Sequence, residues 1–492
     1  MRQAKSLVTV QGDPPRYRNG AAENGLAPFA PTGAREARAP LRGVRHGSDI
    51  GHDRVDLGHD GAWPSRGCDE PWRFLFVAIL LVGAISPGRA ETISVRSPSA
   101  LRAAVLRATP GTTILIAPGE YSGGLDVRGI SGTADARITI RGADPANPPV
   151  FKGGAQAMHL VDCNYLTLAH FVVDGCTANG LNCDDGGSPD TPMHHLIVEH
   201  VAIQNIGPRG NHDGLKMSGV DRFIVRNCRF LGWGGSAIDM VGCHQGVVED
   251  CYFHGKEGFD NSEAIQMKGG CADILVQCCF FDRAGQRALN LGGSTGLAFF
   301  RPSVGDYEAA RLVVGGNRFF GGQTPVAWPT ASHNRVVQNT IVFPEKWIGR
   351  ILQETRDPRF KPSHHGVFEK NVVVFDGRVG RYEFVNVGPG TAPDTWKFID
   401  NAWFDAEGKR KPKLPGVETG SIHQVDPRLV DVGKPTMRIT SADERLKDRG
   451  DRAWTRLDAA AWIAGETRPA AASGNSTGRI SKPQPAARDD PR

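Results

Sequence analysis

Short stretches of alternating apolar and polar residues recur along the chain and indicate β-strands joined by turns. Four of them align, each with apolar residues at every second position and a glycine at its end: DGLKMSG from Asp213, SAIDMVG from Ser236, EAIQMKG from Glu263 and RALNLGG from Arg287. Successive stretches begin 23, 27 and 24 residues apart. Units of this length cannot bury their own apolar faces and must stack on one another. The pattern therefore predicts a parallel β-helix.

A second set of strands keeps step with the first and predicts at least two strands in each coil. Its members are FIVRNCRF from Phe223, GVVEDCYF from Gly246 and ILVQCCFF from Ile274. Equivalent side chains on neighbouring strands stack directly. We expect two inward ladders, one of Leu215, Ile238, Ile265 and Leu289, the other of Phe230, Phe253 and Phe281.

The chain divides into four segments by composition. Residues 1–70 are rich in Arg, Gly, Pro and Asp without apolar periodicity, which predicts a disordered or mis-assigned N-terminal extension. Residues 71–90 have the pattern of a signal peptide, with Arg73 before twelve apolar residues and a cleavage site after Ala90. A run of twelve is short for a bilayer, so cleavage is favoured over a retained anchor. We expect a secreted or periplasmic protein with no stable membrane span after cleavage.

The solenoid is predicted over residues 91–435 and a tail over 436–492, with short helices followed by disorder. Ser97 and Pro98 are typical of a helix start, and Leu101, Ala104 and Val105 give that helix one apolar face. Such a helix would cap the open end of the first coil and block aggregation through its edge.

Charge and cysteine content narrow the function classes. Without the predicted leader the formal net charge falls from +5 to about +2, which argues against a general nucleic-acid binder. We expect a monomer.

Nine cysteines fall between Cys163 and Cys279, and three of them, Cys228, Cys251 and Cys279, share one inward position. We interpret most of them as buried free thiols, although export would allow some to pair.

The outward positions of one sheet carry the candidate chemistry, because inward positions of a β-helix are sealed. Parity along the repeats points a set of polar side chains outward or to the rim: Asn182, Asp184, Asp185, Asp213, Lys216, Asp239, Glu263, Gln266, Lys268, Arg287 and Asn290. Outward polar ladders also serve solubility, and Lys216 beside Asp239 is equally consistent with a simple cross-strand ion pair.

This mixture of acids and bases suits β-elimination on an acidic polysaccharide. A cation would neutralise the uronate carboxylate, and a Lys or Arg would remove the acidified proton. Candidate bases and acids are Lys268, Lys216 and Arg287. Carboxylates are the ligands that Ca²⁺ prefers, and the candidates are Glu263, Asp239, Asp213, Asp184 and Asp185. Gln266, Asn290 and Asn182 are candidates for binding sugar hydroxyls.

The capping helix, the TILIAPGEY first strand and the stacked coils resemble the secreted right-handed parallel β-helix proteins of the pectin-lyase-like family. The resemblance implies an all-β, single-stranded right-handed parallel β-helix. EAIQMKG is similar to a segment of the chondroitinase B and alginate lyase group, which implies that Glu263 is a calcium ligand and Lys268 the base. That group carries an arginine acid one coil later, where this chain has Gly292. Arg287 would have to substitute from the rim.

DGLKMSG instead resembles a strand of the pectate lyases, which implies Lys216 as the base and Asp184, Asp185 and Asp213 as calcium ligands. Two other functions stay open. NHDG from Asn211 resembles the histidine-aspartate signature of mannuronan C5-epimerases but lacks its proline. A non-catalytic carbohydrate-binding protein would use the same polar ladder only to hold sugar.

Histidines show no regular ligand spacing in the sequence. His212, His244, His254, His364 and His365 are scattered. We interpret them as turn or surface residues.

Overall fold

Nearly all regular structure in the described residues is β-strand. The computed structural model describes residues 90–380, 383–408 and 410–467. Its strands form three long sheets in which every neighbouring pair is parallel and comes from successive coils. The chain therefore winds as a solenoid, and the predicted parallel β-helix is confirmed. The extension predicted at 1–70, the signal peptide up to residue 89 and the disordered end from residue 468 lie outside the described residues.

Each coil contributes one strand to each long sheet over most of the solenoid. Sheet 1 contains thirteen strands: Thr92–Val95, Thr113–Ile116, Ile138–Gly142, Leu166–Ala169, Ile197–Glu199, Ile224–Arg226, Val247–Glu249, Leu275–Gln277, Val313–Gly315, Arg335–Val337, Val367–Glu369, Lys397–Ile399 and Val417–Thr419. Sheet 2 contains twelve: Glu120–Ser122, Val150–Lys152, Val172–Asp174, Ala202–Ile206, Arg229–Trp233, Tyr252–His254, Phe280–Asp282, Arg318–Phe320, Thr340–Val342, Val372–Phe375, Ala402–Asp405 and Ile422–His423. Sheet 3 contains ten: Leu125–Arg128, Met158–Val161, Leu181–Asp184, Leu215–Ser218, Ser236–Val241, Glu263–Lys268, Arg287–Leu291, Val326–Pro329, Gly349–Leu352 and Val385–Val387.

Shorter elements occupy the turns and the two ends. Two-residue strands at the turn between sheets 3 and 1 pair in parallel: Met193–His194 with Val220–Asp221, and Ala309–Ala310 with both Cys271–Ala272 and Ala331–Ser332. Leu429–Val430 and Arg438–Ile439 form an antiparallel pair. The α-helices are Pro98–Leu106 and Ala459–Ile463, and the 3-10 helices are Leu297–Phe299, Pro393–Thr395, Glu444–Leu446 and Asp451–Ala453. No helix in the described ranges is long and apolar enough to cross a bilayer.

Both inward ladders predicted from the repeats are present. Leu215, Ile238, Ile265 and Leu289 are in register and fully buried. The rings of Phe230, Phe253 and Phe281 stack with centroids 5.0 and 4.8 Å apart, and Phe319 extends the stack at 4.6 Å. This register places the intervening residues of sheet 3 on its outer face.

A helix covers the beginning of the core, where the sequence predicted one. Ser97 caps helix Pro98–Leu106 by accepting a hydrogen bond from the backbone N–H of Ala100 at 3.2 Å. Leu101, Ala104 and Val105 are buried and belong to the main hydrophobic core. The apolar face of this helix therefore continues the core of the solenoid.

An asparagine ladder takes over from the cysteines in the second half of the core. Cys228, Cys251 and Cys279 precede successive strands of sheet 2, and the same position is then held by Asn317, Asn339, Asn371 and Asn401. Asn339 accepts hydrogen bonds from the backbone N–H and side-chain amide of Asn317 at 2.9 and 3.0 Å, and donates to Val314, Val337 and Asn371. All nine described cysteines are free thiols, and eight are buried.

Replacing Asn339 by alanine is expected to lower the free energy of unfolding by about 3 kcal/mol, because the backbone N–H of buried Asn317 loses its acceptor. Equilibrium urea unfolding measures the change. Cys251→Ala at the equivalent position removes only a weakly bonded thiol and should cost much less. Equal losses in the two variants would contradict a special role for the amide ladder.

The tail packs back along the outside of the solenoid. Met437, Ile439 and Leu446 cover outward apolar side chains of sheet 2, and Trp462 covers Val247, Leu275 and Val313 of sheet 1. The Trp462 indole also donates to the backbone carbonyl of Asp273 at 2.9 Å. The outer faces of sheets 1 and 2 are thus partly covered by the chain itself, which leaves sheet 3 as the face for chemistry.

Candidate active site on sheet 3

The outward side chains of sheet 3 form two rows across the strands, and a third row lies at the rim. The middle row contains Asn182, Lys216, Asp239, Gln266 and Asn290. The row toward the carboxyl ends contains Asp184, Ser218, Val241 and Lys268, and the row at the rim, where the strands begin, contains Ser236, Glu263 and Arg287. Neighbouring strands lie about 4.8 Å apart, so successive side chains of a row are direct neighbours.

Lys216 is held between two buried carboxylates. Its Nζ lies 2.9 Å from Asp213 Oδ2 and 2.5 Å from Asp239 Oδ2, and each carboxylate side chain is only 1% exposed. Burial alone would lower the pKa of Lys216, but the two carboxylates outweigh it and raise that pKa above its usual value. Burial, followed by repulsion from Asp239, raises the pKa of Asp213. Lys216 is therefore a fixed cation and a poor proton acceptor at neutral pH.

Lys268 approaches the same carboxylate from the other side. Its Nζ lies 3.2 Å from Asp239 Oδ1 and donates to Gln266 Oε1 at 2.9 Å. Its side chain is 17% exposed. Asp239 thus stands between the two predicted bases, and Lys268 is the one whose amine is not enclosed by two carboxylates.

Glu263 is a carboxyl group that titrates near neutrality. Burial raises its pKa to about 7, against the opposing charges of Arg287 and Lys268. At pH 7 its protonated and ionised forms are therefore both populated. A group of this kind can exchange protons with a bound substrate.

The raised pKa of Glu263 predicts a pH-dependent stability. Between its ordinary value of 4.5 and about 7, the folded protein binds more protons at this site than the unfolded chain, so stability falls as pH rises. We expect a loss on the order of 2 kcal/mol from pH 5 to pH 8 that Glu263→Gln removes. Urea unfolding at both pH values, with chelator present, measures it. The same pH slope in both proteins would contradict the assignment.

Arg287 bends from the rim onto the middle row. Its Nη1 lies 2.9 Å from Glu354 Oε1 and donates to Asn290 Oδ1 at 3.1 Å. Asn290 is fully buried, so direct contact with a substrate would require Arg287 to move. Arg350 lies farther along the middle row, and burial together with the charge of Arg287 lowers its pKa. Sequence reasoning missed Glu354 and Arg350, because neither falls in the aligned repeats.

The remaining predicted metal ligands are engaged by basic side chains. His159 Nε2 lies 2.6 Å from Asp184 Oδ2. Asp185 is 1% exposed, and Arg301 forms a two-pronged ion pair with it through Nε at 2.5 Å and Nη2 at 3.3 Å. Arg301 comes from the loop after strand Arg287–Leu291 and reaches back over three coils. No periodic signal in the sequence links these two residues.

Two glycines explain the shape of this surface. A Cβ at Gly242 would come within 2.3 Å of the Arg301 side chain, so the glycine leaves the path that Arg301 follows to Asp185. A Cβ at Gly292 would lie 1.8 Å from the backbone oxygen of Pro329. An arginine therefore cannot replace Gly292, the position where the chondroitinase B and alginate lyase group carries its arginine acid. Arg287 is the basic residue nearest to Gly292 in the sequence.

The predicted calcium ligands do not fit one Ca²⁺ site as arranged. Ca²⁺ takes six to eight oxygen ligands, whereas Asp213 and Asp239 here accept the ammonium of Lys216 and Asp185 accepts Arg301. In the described part of the chain, the one group of three His, Cys, Asp or Glu side chains with converging ligand atoms contains no carboxylate. A calcium ion bound by Asp213 or Asp239 would have to displace Lys216, and one bound by Asp185 would have to displace Arg301.

Comparison with solved structures finds matches at low sequence identity, with TM-scores below 0.5 for those named here. An alginate lyase from Paenibacillus sp. is 18% identical, with a TM-score of 0.39, and the match covers 62% of this chain and 100% of that one. The A-module of a mannuronan C-5 epimerase from Azotobacter vinelandii is 13% identical, with a TM-score of 0.45 and coverage of 69% and 96%. A lacto-N-biosidase from Eubacterium ramulus is 12% identical, with a TM-score of 0.45 and coverage of 68% of each chain. No protein-family model and no curated protein matches the sequence.

These values carry no assignment of activity. The three parallel sheets of the chain itself define its class, a parallel β-helix.

Proposed function

We propose that the protein acts on an acidic, uronate-containing polysaccharide and cleaves it by β-elimination, with Lys268 as the base. The observation that carries the proposal is the arrangement of Lys216, Lys268 and Arg287 around Gln266 on sheet 3, each partly exposed. A substrate carboxylate bound over Gln266 would lie near the ammonium of Lys216 and the guanidinium of Arg287, and Lys268 would act in its unprotonated form. Such preorganised charge stabilises the anion that forms when the neighbouring C–H bond is broken.

The roles follow from the contacts of each cation. Lys216 is fixed in its charged form by two carboxylates, so it suits charge neutralisation, as does Arg287. Lys268 removes the proton from the carbon next to the carboxylate. The electron pair of that C–H bond forms a carbon–carbon double bond, the glycosidic C–O bond breaks, and the leaving oxygen takes a proton. Glu263, partly protonated at pH 7, can supply that proton.

Several parts of this function stay predictions. Export rests on the signal peptide predicted at residues 71–90, and the monomeric state is an expectation from the sequence. The sequence predicted calcium dependence, but Asp213, Asp239 and Asp185 are held in ion pairs, so we expect turnover that does not require Ca²⁺.

An ultraviolet assay tests the proposal. The purified chain is mixed with pectate, alginate, chondroitin sulfate or dermatan sulfate, each with Ca²⁺ and with chelator, and unsaturated uronate is followed by absorbance. We expect a rise on one polymer that persists in chelator. A rise only with Ca²⁺ would show that a metal is required. Unchanged chain length with altered uronate stereochemistry would indicate an epimerase, and binding without reaction would indicate a carbohydrate-binding protein.

A further inference from the structure

Three histidines meet at the turn between sheets 3 and 1, away from the proposed active site. His333, His364 and His365 each offer a ring nitrogen, and these atoms lie within 4.8 Å of one another. His333 and His365 are exposed, and His364 is half-buried. The sequence shows no ligand spacing here, because His333 and the adjacent pair come from different coils.

The backbone explains why these side chains converge. The turn repeats in successive coils, and in each of them one residue after the short strand adopts a positive φ. His333 and His365 hold equivalent places in adjacent coils, with φ of 54° each. Their rings stack with centroids 4.9 Å apart, and the ring of His364 stands nearly perpendicular to both. The cluster is therefore a product of the coil register and not a chance surface contact.

Hydrogen bonds hold the three rings together, and a metal ion would replace one of them. The Ser332 hydroxyl lies 2.7 Å from His333 Nδ1 and 3.3 Å from His364 Nε2. His364 Nδ1 and His365 Nδ1 share a hydrogen bond of 2.7 Å, which would give way to the metal ion. A hydrogen bond at one ring nitrogen commonly orients the other toward a metal.

The nearest cations are already paired with carboxylates. Lys361 Nζ lies 2.7 Å from Asp306 Oδ2, and Arg311 Nη2 lies 2.9 Å from Asp273 Oδ2. These pairs reduce the repulsion that a divalent ion would meet at the cluster.

The chain contains an internal counterpart that lacks the third histidine. His194 and His195 repeat the adjacent pair, with Nδ1 atoms 2.9 Å apart, and Tyr165 takes the place of His333. Tyr165 stacks on His195 and stands perpendicular to His194, as His333 does on His365 and to His364. The cluster at Tyr165 has two imidazoles and the cluster at His333 has three, in similar geometry. Comparing them therefore measures what His333 adds to metal binding.

We propose that His333, His364 and His365 form a site for a divalent first-row transition-metal ion such as Zn²⁺, with Ser332 orienting the rings. Three nitrogen ligands with a fourth position open to water is a common zinc arrangement. Tetrahedral ligands at Zn–N distances of about 2.1 Å stand about 3.4 Å apart, so the exposed rings must rotate modestly about their side-chain bonds to converge.

Titration of the tag-free, metal-stripped full chain with Zn²⁺ by isothermal calorimetry tests the site. We expect one Zn²⁺ per chain, and at least tenfold weaker binding in His333→Tyr, which recreates the Tyr165 arrangement. His365→Ala should weaken binding as much. His195→Ala is the matched control and should bind as the unmodified protein does.

Circular dichroism establishes that each variant is folded, since all three changed side chains lie at turns. Absence of Zn²⁺ binding by the unmodified protein would overturn the proposal. So would unchanged affinity in both His333→Tyr and His365→Ala, or an equal loss in His195→Ala.

Discussion

Lys268→Ala is expected to lower kcat on the responsive polymer by about a thousandfold, with the fold intact. A general base positioned at the reacting proton contributes roughly 10²- to 10⁴-fold. The side chain of Lys268 is partly exposed and shares Asp239 with Lys216, so its removal leaves that carboxylate paired. The loss should therefore appear in turnover and not in stability.

Lys268→Arg distinguishes a role of Lys268 as the proton-removing base from a role as a positive charge. Arginine keeps the positive charge but does not give up its proton at working pH. If Lys268 is the base, Lys268→Arg is as inactive as Lys268→Ala, whereas substantial recovery of activity would reduce Lys268 to charge neutralisation. Ser218→Ala, in the same row of sheet 3, is the matched control and should keep most activity. Full activity in Lys268→Ala would remove the proposed base.

The fold was predictable because a solenoid repeats its signal in every coil. The alternation in EAIQMKG and its aligned stretches fixed both the inward ladder through Ile265 and the outward row through Gln266. Parity alone then placed Lys216 and Lys268 on one face. The alternation of apolar and polar residues could not predict that polar asparagines would occupy inward positions of the core. Asn317 and the asparagines after it occupy a sealed position that hydrogen bonds along the ladder make stable.

The contacts of the site were less predictable than its position. A repeat shows which residues share a face, but not which side chain from a distant loop reaches that face. Asp185 was a plausible metal ligand in sequence, and Arg301, 116 residues later, pairs with it. Glu354 meets Arg287 from outside the aligned repeats in the same way. His333, His364 and His365 converge only because coils of unequal length restore the same turn.

The sequence pattern also did not predict why outward positions of sheets 1 and 2 carry apolar residues. Phe280 and Val342 alternate correctly with inward neighbours, yet both are buried, because the tail segment with Met437 and Leu446 covers them. Local alternation describes one sheet at a time and carries no information about a segment that returns along its outer face.

Arg301→Ala is expected to destabilise the protein by about 3–5 kcal/mol, because it leaves the carboxylate of Asp185 buried without its partner. Removing one member of a buried ion pair costs far more than removing both. Arg301→Ala combined with Asp185→Asn should therefore recover part of the loss, and equilibrium urea unfolding of the single and double variants gives the coupling energy.

The exposed pair Arg128 and Asp126 supplies the contrast, since both side chains are at least half exposed. Arg128→Ala should leave stability nearly unchanged, because water and salt screen the pair. A loss below about 1 kcal/mol in Arg301→Ala would mean that Asp185 finds water or another donor. In that event the loop carrying Arg301 would be only loosely fixed over sheet 3, and Asp185 would again be available to a cation. The same variants in the ultraviolet assay would then show whether freeing Asp185 creates a dependence on Ca²⁺.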